Sequence, residues 1–402
     1  MTDARPHATR VPLSVLDLAI VPEGGTGADA LRTAVDLAVH LEELGYHRVW
    51  YAEHHLAPGV ASASPAVLAT AVAARTSRIR VGSGAVLLST TSPLVGAEQF
   101  GTLAALHPGR VDLGVGRAFG PPPGQDKAVD PRASRPRPTG GARVVDGLYV
   151  PAAPPVDLND SALRERLLAQ KKVVGVSRTP ASFRAELELV LGLQAGTYRD
   201  ENGTAYTSPP VQGGTFDLWV LASSAGESAR VAGELGLPLA ANFHVSPAAT
   251  LDTVAAYREA FRPGVLAEPY VLVSADVLVA ETDERAHELA RPFADWVLSI
   301  RGGVSGAIAY PDPAAVRGWD ERTDDERALV ADRVDTRVVG GPATVVERLE
   351  TLQRVTGADE LLVTTEAHDP ADARRSFELL AEHWRAPSTA GAADLALAST
   401  TA

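Results

Sequence analysis

The feature that most constrains the fold is an alternation between two hydrophobic periods, repeated eight times along the chain. Short runs rich in β-branched residues, the first at Val15–Val21, predict buried strands. Each run is followed by apolar residues at helical spacing, as in Asp29–Leu44, where Gly45 marks the predicted end of the helix. Eight such units close a TIM barrel, whereas doubly wound sheets more often have about five to seven strands. We therefore predict the α/β class and a (β/α)8 barrel.

The remaining predicted elements locate two interruptions of this barrel. Strands are also predicted at 47–52, 79–88, 111–115, 216–221, 237–242, 270–279 and 360–364, and helices at 64–74, 92–106, 161–170, 183–193, 227–235, 247–261, 284–298, 342–355 and 371–384. Long insertions follow the fourth strand (119–181, rich in proline and glycine) and the seventh (302–335). We predict one barrel domain over 13–385, a flexible N-terminus at 1–12 and a disordered tail at 386–402.

Composition excludes several classes of function. The chain has no cysteine, which excludes disulfides, thiolate metal sites, iron–sulfur clusters and a cysteine nucleophile. A net charge of −13 argues against nucleic acid and anionic membranes as partners. No apolar stretch approaches the roughly 18–20 residues that span a bilayer, and the N-terminus lacks a secretory signal. A cytoplasmic location is expected.

Polar residues follow six of the eight predicted strands, where the chemistry of a TIM barrel is found. We expect them to converge on one mouth. In chain order they are Glu53, His54 and His55; Ser89, Thr90 and Thr91; Arg117; Ser223, Ser224 and Gly226; His244; and Thr364, Thr365, Glu366 and His368.

Glu53-His54-His55 has three possible interpretations. Histidine and carboxylate ligands suit zinc or iron, but adjacent strand residues point to opposite faces and no third ligand follows, so we predict no metal site. A structural role is the second possibility. We favour the third, a histidine that acts as an acid, a base or a hydrogen-bond donor to the substrate.

A second candidate site follows the fifth strand. Two hydroxyls, Ser223 and Ser224, precede a helix whose first backbone N–H groups suit a phosphate. Ser224 with Glu227 also reads as an ordinary capping box, and the Glu227 carboxylate repels a phosphate unless it turns away. Arg117 favours the phosphate interpretation because a guanidinium can bind a phosphate bidentately.

Glycines interrupt the third predicted strand at Gly82 and Gly84. Glycine inside a strand indicates either a bulge in the barrel wall or the close approach of a ligand or another backbone. Gly114 and Gly116 in the fourth strand have the same two interpretations. They do not form a dinucleotide fingerprint, because the third glycine and the strand–turn–helix setting are missing.

These motifs, in this order, resemble the bacterial luciferase-like flavin-dependent monooxygenases. The resemblance covers about two-thirds of the chain, and its most specific part is AEQ followed by LHPGR and LGVGR. The matching segments are Trp50–His55, Arg78–Leu88, Ser92–Ala118, Trp219–Ser224, Glu234–His244 and Val338–Leu352.

The resemblance implies a TIM barrel with reduced FMN, or in some branches a deazaflavin, at its mouth. It implies that the flavin ring lies against the third strand near Ser83 and Gly84, where members often carry a non-prolyl cis peptide. Three further sets of residues follow from it: a phosphate site at Arg117, Ser223, Ser224 and Gly226; catalytic residues His54 and Glu53; and a substrate pocket that includes His55 and His244.

The implied activity is that of a two-component monooxygenase. A separate reductase supplies reduced FMN, which reacts with O2 to a flavin hydroperoxide that oxygenates a small organic substrate, and the chain is expected to form a homodimer. A deazaflavin-dependent dehydrogenase or reductase, a non-catalytic flavin-binding subunit and, more remotely, a metal hydrolase are the alternatives. The sequence departs from the family in a longer turn at 224–228 and a longer first insertion, and the second insertion lies where the family has a mobile active-site loop.

Overall fold

The computed structural model describes residues 10–117, 140–156, 161–175, 182–302 and 306–384. The predictions for the N-terminus before residue 10, the tail and much of the first insertion lie outside these residues. The strands are β1 (Leu13–Asp17), β2 (Arg48–Tyr51), β3 (Arg80–Ser83), β4 (Val86–Leu87), β5 (Val111–Gly116), β6 (Arg143–Val145), β7 (Leu148–Val150), β8 (Phe216–Ala222), β9 (Leu239–Ala241), β10 (Val271–Val279), β11 (Val338–Gly340) and β12 (Glu360–Thr364).

Helices separate the eight strands of the barrel, and several begin or end at the residues that the sequence marks. Ser92 caps the helix that starts at Pro93, and Gly45 ends the first helix in the left-handed conformation with φ 82°. The α-helices are α1 (Gly27–Leu44), α2 (Pro65–Ala73), α3 (Pro93–Leu106), α4 (Ser161–Val174), α5 (Phe183–Ala195), α6 (Glu227–Glu234), α7 (Thr250–Ala260), α8 (Asp283–Ala290), α9 (Phe293–Arg301), α10 (Asp324–Thr336), α11 (Pro342–Thr356) and α12 (Pro370–Trp384).

Eight parallel strands close into a barrel in the order β1-β2-β3-β5-β8-β9-β10-β12. Closure is direct, because β12 pairs with β1 on one side and with β10 on the other, and β10 also pairs with β9. In register, Val15 of β1 lies opposite Val49 on one side and Val363 on the other. The predicted (β/α)8 barrel is confirmed, as are the insertions after its fourth and seventh strands, β5 and β10.

Several single elements differ from the prediction. The strand expected at 79–88 is divided into β3 and β4, and the helix expected at 284–298 is divided into α8 and α9 because Pro292 lies between them. The helix expected from residue 247 begins with a 3-10 turn, Pro247–Ala249. Strand β11, which pairs with β10, was not predicted, since three apolar residues carry too little periodicity to be recognised.

The amino-terminal end of the barrel is closed by a buried network of charges. Arg48 binds Glu360 through two hydrogen bonds of 2.7 and 2.9 Å and donates a third, of 2.7 Å, to Asp112. Arg80 bonds the other oxygen of Asp112 and also reaches Asp217 at 2.6 Å. The side chains of Arg48, Asp112 and Glu360 are at most 1% exposed, so every charge here depends on a partner.

Above this network two tryptophans fill the middle of the barrel. The rings of Trp50 and Trp219 meet edge to face at 5.1 Å, and the Arg48 guanidinium lies 4.8 Å from the Trp219 ring centre. A Cβ on Gly82 would come within 2.8 Å of Trp50 Cδ1, and one on Gly84 within 2.8 Å of Leu16 Cδ1. The sequence left two interpretations of these glycines, a bulge or a close approach. The close approach of other groups in the barrel core is sufficient to explain both positions.

Both insertions reach the carboxyl-terminal side of the barrel. In the first, Gln170 of α4 donates a 2.8 Å hydrogen bond to the carbonyl of His55, and Arg166 donates one of 3.1 Å to the carbonyl of Ile300. In the second, Asp332 of α10 forms an ion pair with Arg301 of α9. The described parts of the insertions are thus attached to the segments that surround the barrel mouth.

The buried charge network predicts a large stability loss in Arg48→Met. The variant leaves Asp112 without one cation and Glu360 without its principal partner, and breaking a buried ion pair costs about 3–5 kcal/mol. Urea unfolding measures the loss. As a control, Arg75→Ala removes an ion pair with Asp36 whose side chains are 51% and 64% exposed, and about 1 kcal/mol or less is expected. Equal losses in the two variants would contradict the role given to Arg48.

Candidate active site

His54 leaves β2 at the carboxyl-terminal mouth of the barrel. Its backbone N–H donates to the carbonyl of Ser62 at 2.9 Å, which fixes the main chain. The side chain is exposed, and its ring has no hydrogen-bond partner in the part of the chain that the structure describes. Partial desolvation by the protein around the mouth, together with the nearby His55 and Arg333, lowers the pKa of His54 below its usual value. At neutral pH this imidazole is therefore neutral and can both donate and accept a hydrogen bond.

Glu53, by contrast, is a buried acceptor with three hydrogen bonds. It receives the backbone N–H of Leu87 at 2.9 Å and the hydroxyl of Thr90 at 2.7 Å. Its third bond, of 2.9 Å, joins it to Nε2 of His55. Glu53 thus connects the end of β2 to the segment after β3 and orients His55. None of these bonds uses the ring of His54.

His244 lies in the loop after β9 and faces the same region. Its Nδ1 is 2.5 Å from the hydroxyl of Ser274 on β10. Desolvation lowers the pKa of His244 to about 4, although the carboxylate of Asp276 acts in the opposite direction. Protonation of His54 would lower the pKa of His244 further, so the two imidazoles lie near enough to interact. The structure therefore brings two of the residues predicted from strand ends to one mouth.

A pair of buried carboxyl groups lies beside the histidines. Asp276 is 3% exposed and Glu366 is 1% exposed, and the charge of Asp276 raises the pKa of Glu366, so the two carboxyl groups lie close together. Asp276 Oδ1 and Glu366 Oε2 have no hydrogen-bond partner among the described residues, and Nη2 of Arg337 lies 3.6 Å from Glu366 Oε2. A proton shared between the two carboxyl groups would satisfy both oxygens. Desolvation and the charge of Asp276 raise the pKa of Glu366 to about 8, which keeps it protonated at neutral pH.

Two arginines of the second insertion complete this cluster. Arg333 of α10 donates to Asp276 Oδ2 at 3.1 Å and lies over the ring of Phe293 at 5.1 Å. Arg337, just after α10, donates to the carbonyl of Glu366 at 2.7 Å. The sequence analysis missed Asp276, Arg333 and Arg337. Asp276 could have been recognised from the sequence, because Ser274 and Asp276 are two residues apart in an apolar strand and share a face. The arginines had no such pattern.

The end of β3 and the segment after it are held by hydrogen bonds within the sheet. The Ser83 hydroxyl donates to the carbonyl of Gly114 at 2.9 Å and accepts from its N–H at 3.0 Å, so this buried hydroxyl is used within the sheet. The peptide bond between Gly84 and Ala85 is cis, at the end of the stretch where the family resemblance places one. Further along this segment, the hydroxyl of Ser89 has no hydrogen-bond partner among the described residues.

The turn after β8 differs from the capping box considered above. Helix α6 begins at Glu227 with Gly226 as its N-cap, and no side chain caps it. The capping-box prediction for Ser224 and Glu227 is therefore wrong. The first-turn N–H groups of α6 have no intrahelical partners, and the half-buried Ser223 and Ser224 precede them. The Ser223 hydroxyl accepts a 2.9 Å hydrogen bond from the Asn242 amide.

Arg117 extends from the end of β5 toward this turn. It forms an ion pair of 2.9 Å with Glu227 and lies over the ring of Phe183 at 4.9 Å. Guanidinium, helix N–H groups and hydroxyls form a donor set that suits a phosphate monoester. Because Glu227 accepts from Nη1 of the guanidinium, this carboxylate competes with a phosphate for Arg117.

Two searches of the described residues bear on function. No group of three histidines, aspartates or glutamates there is arranged to hold a metal ion. No helix in the same residues is long and apolar enough to cross a membrane.

A closed (β/α)8 barrel with two histidines and an anion-binding donor set at its mouth places the chain among the TIM-barrel proteins whose candidate site lies at the carboxyl ends of the strands. Comparison with known proteins identifies the family. The family model described as luciferase-like monooxygenase matches residues 13–138 and 194–360, and the chain belongs to this family.

Relatives match over nearly the whole chain. The uncharacterized protein YvbT of Bacillus subtilis is 37% identical over 93% of this chain and 96% of its own length. A luciferase-like monooxygenase of Escherichia coli is 33% identical over 92% and 96% of the two chains. The crystal structure of apo-MsnO8 has a TM-score of 0.71 and 33% identity, and the match covers 93% of this chain and 98% of that one.

More distant structures share the fold alone. The oxygenating constituent of 3,6-diketocamphane monooxygenase from Pseudomonas putida, a complex with FMN, has a TM-score of 0.57 at 18% identity and covers 93% of this chain and 97% of its own. A coenzyme F420-dependent tetrahydromethanopterin reductase from Methanopyrus kandleri has a TM-score of 0.51 at 16% identity, and the match covers 94% of this chain and 98% of that one. One of these two neighbours is thus a complex with FMN, and the other depends on coenzyme F420.

The buried carboxyl pair predicts a specific pH effect. Because the pKa of Glu366 is about 8 in the folded protein and lies near 4.5 when unfolded, the folded state binds the extra proton between these values. Stability contributed by this group therefore falls as pH rises through that window. Glu366→Gln should show a smaller decline in the free energy of unfolding between about pH 5 and pH 8. Urea unfolding across this range measures it, with exposed Glu382→Gln as a control that keeps the wild-type slope. Parallel curves for wild type and Glu366→Gln would exclude the shared proton.

Proposed function

We propose that the chain is a monooxygenase that uses reduced FMN and O2 to oxygenate a small organic substrate. The observation that carries this proposal is the combination at one mouth of a neutral, unbonded imidazole, His54, with the phosphate-binding donor set around Arg117. Membership of the luciferase-like monooxygenase family supports the use of oxygen. The FMN complex of a structural neighbour supports the choice of cofactor.

In this proposal Arg117 and the amino-terminal turn of α6 hold the phosphate of FMN, together with Ser223, Ser224 and Gly226. The backbone at Gly84 and Ala85 forms the wall beside the ring. Reduced FMN supplies the electrons with which dioxygen is activated. The remaining contributions come from the chain, which binds the phosphate, excludes water from the mouth and positions proton donors.

His54 is the proposed acid/base or hydrogen-bonding residue. Its low pKa keeps it neutral, so it can donate the N–H of one ring nitrogen and accept a proton at the other. Glu53 acts through the backbone of the mouth, because its three bonds fix the segment after β3 and orient His55. His55 and His244 form part of the substrate pocket. The α4 contact of Gln170 with the His55 carbonyl lies beside this pocket.

The family's usual organisation completes the proposal. A separate flavin reductase delivers the reduced cofactor, and the protein acts as a homodimer in the cytoplasm. A deazaflavin-dependent dehydrogenase is the second candidate, favoured by the F420-dependent reductase on the same fold. It differs in a measurable way, since it transfers hydride and needs no oxygen.

The proposed function predicts that His54→Ala binds FMN normally but loses at least about 100-fold in turnover, the usual contribution of a positioned acid or base. Turnover is measured as incorporation of labelled oxygen into product when an extract is incubated with the protein, reduced FMN and ¹⁸O2. His107→Ala, at the carboxyl end of α3, should retain wild-type rates. Product that forms without oxygen and only with a deazaflavin would establish the second candidate instead.

The phosphate site predicts opposite effects of two neighbouring substitutions on FMN affinity. Arg117→Ala removes the charged donor and should weaken binding about tenfold or more. Glu227→Gln removes the carboxylate that competes for Arg117 and should tighten binding several-fold. Quenching of flavin fluorescence in a titration measures both, without reference to turnover. If Glu227→Gln weakens binding as much as Arg117→Ala does, the phosphate does not use this guanidinium.

A further inference from the structure

A second cavity lies outside the mouth, between the α8–α9 corner and the end of the second insertion. Its volume is about 390 Å³, within the range of small-molecule sites. Although the chain has a net charge of −13, the wall of this cavity is basic. We call it the arginine pocket and define it by its main lining residues, Arg291, Arg317, Trp319, Arg322, Arg337 and Arg348.

Two of these arginines belong to an ordinary ion-pair network. Arg317 lies 3.1 Å from Glu326 and 3.5 Å from Asp295, and Arg322 lies 2.8 Å from the same aspartate. These pairs hold the segment that carries Trp319 against α9. Their charges are largely balanced by the protein itself.

Two others have only neutral partners. Arg291 donates to the carbonyl of Val316 at 3.3 Å, and Arg348 donates to the carbonyl of Asp335 at 3.4 Å. Within the described residues neither has a carboxylate at ion-pair distance. Burial lowers the pKa of Arg348, as expected for a cation that is removed from water without a compensating charge. Asp335 is the one carboxylate that lines the pocket, beside five arginines, and its side chain forms no ion pair with Arg291 or Arg348 among the described residues. The wall therefore carries an excess of positive charge.

A buried donor in the wall is also unused. Arg322 is 4% exposed, and its Nη1 donates to the carbonyls of Arg317 and Gly318 at 2.9 and 2.8 Å. Its Nε has no hydrogen-bond partner among the described residues. A buried donor left without a partner costs about 1–3 kcal/mol, so such groups normally have a partner in the protein, a water or a ligand.

The rest of the wall is aromatic and apolar. Trp319 is 39% exposed, which is high for a tryptophan, and Phe293 and Val334 line the pocket beside it. An exposed indole next to uncompensated guanidinium groups offers a flat stacking surface and an anion site in one cavity.

We propose that the arginine pocket binds a small organic phosphate that carries a flat ring, of the size and charge of a nucleoside diphosphate. Arg291 and Arg348 supply the uncompensated charge, Arg322 Nε supplies a buried donor, and Trp319 receives the ring. Guanidinium groups favour phosphate because their donors match its oxygens in pairs. This site is independent of the flavin mouth and does not require the proposed monooxygenase function.

Calorimetric titration of the full-length protein with ADP tests the proposal, since ADP joins a diphosphate to a flat ring. Arg348→Ala and Arg291→Ala should each weaken ADP binding about tenfold or more. Arg285→Ala removes the same charge from α8 but from a residue that does not line the pocket, and it should leave the affinity unchanged. Pyrophosphate should bind more weakly than ADP, and adenosine should not bind.

Three results would overturn the proposal. ADP does not bind the wild-type protein at millimolar concentration. Arg285→Ala weakens binding as much as Arg348→Ala and Arg291→Ala, which indicates a general charge effect. Binding is lost in Arg117→Ala but kept in both pocket variants, which indicates that ADP occupies the flavin mouth. Arg291 is exposed, so its variant tests the site even if Arg348→Ala does not fold.

Discussion

The interaction on which the rest of the structure depends is the bidentate pairing of Arg48 with Glu360 inside the barrel, joined by Asp112. These residues belong to β2, β12 and β5, which are separated along the ring, and Arg80 extends the network to Asp217 of β8. A buried charge requires a partner of defined geometry, so the network is satisfied in only one register of the strands. The same contacts occupy the amino-terminal end of the barrel, which leaves the opposite end for chemistry.

The two ends of the barrel use charge in different ways. At the amino-terminal end, Arg48 and its carboxylates are mutually hydrogen-bonded. At the mouth, several groups are incompletely paired among the described residues: the His54 ring has no hydrogen-bond partner, and neither has Asp276 Oδ1 or Glu366 Oε2. Desolvation shifts pKa values at the mouth, which is characteristic of sites where protons are exchanged. The chain thus combines a fully paired charge cluster at one end of the barrel with an incompletely paired one at the other.

The second insertion brings charged side chains to the mouth of the barrel. Helix α10 carries Arg333 to Asp276, and Arg337 follows it to the carbonyl of Glu366. Arg337 also lines the arginine pocket on its other side, so one residue separates the mouth from that cavity. The first insertion contacts the mouth through Gln170 and the His55 carbonyl. Segments that interrupt the alternation of strands and helices therefore supply polar and charged side chains that the barrel strands do not.

The sequence by itself determined the (β/α)8 fold, because eight repeats of strand and helix periodicity admit few other closed arrangements, and it determined the family through motifs such as Glu53-His54-His55. It also placed His54, His244 and Arg117 at strand ends, where parallel strands bring them together. Only the tertiary structure decided which of these groups are paired. The ion pair of Glu227 with Arg117, the enclosure of Ser83 in the sheet and the approach of Arg333 to Asp276 join residues far apart in the chain. Periodicity records which face a side chain occupies and carries no information about its partner on another element, so these contacts could not be predicted from spacing.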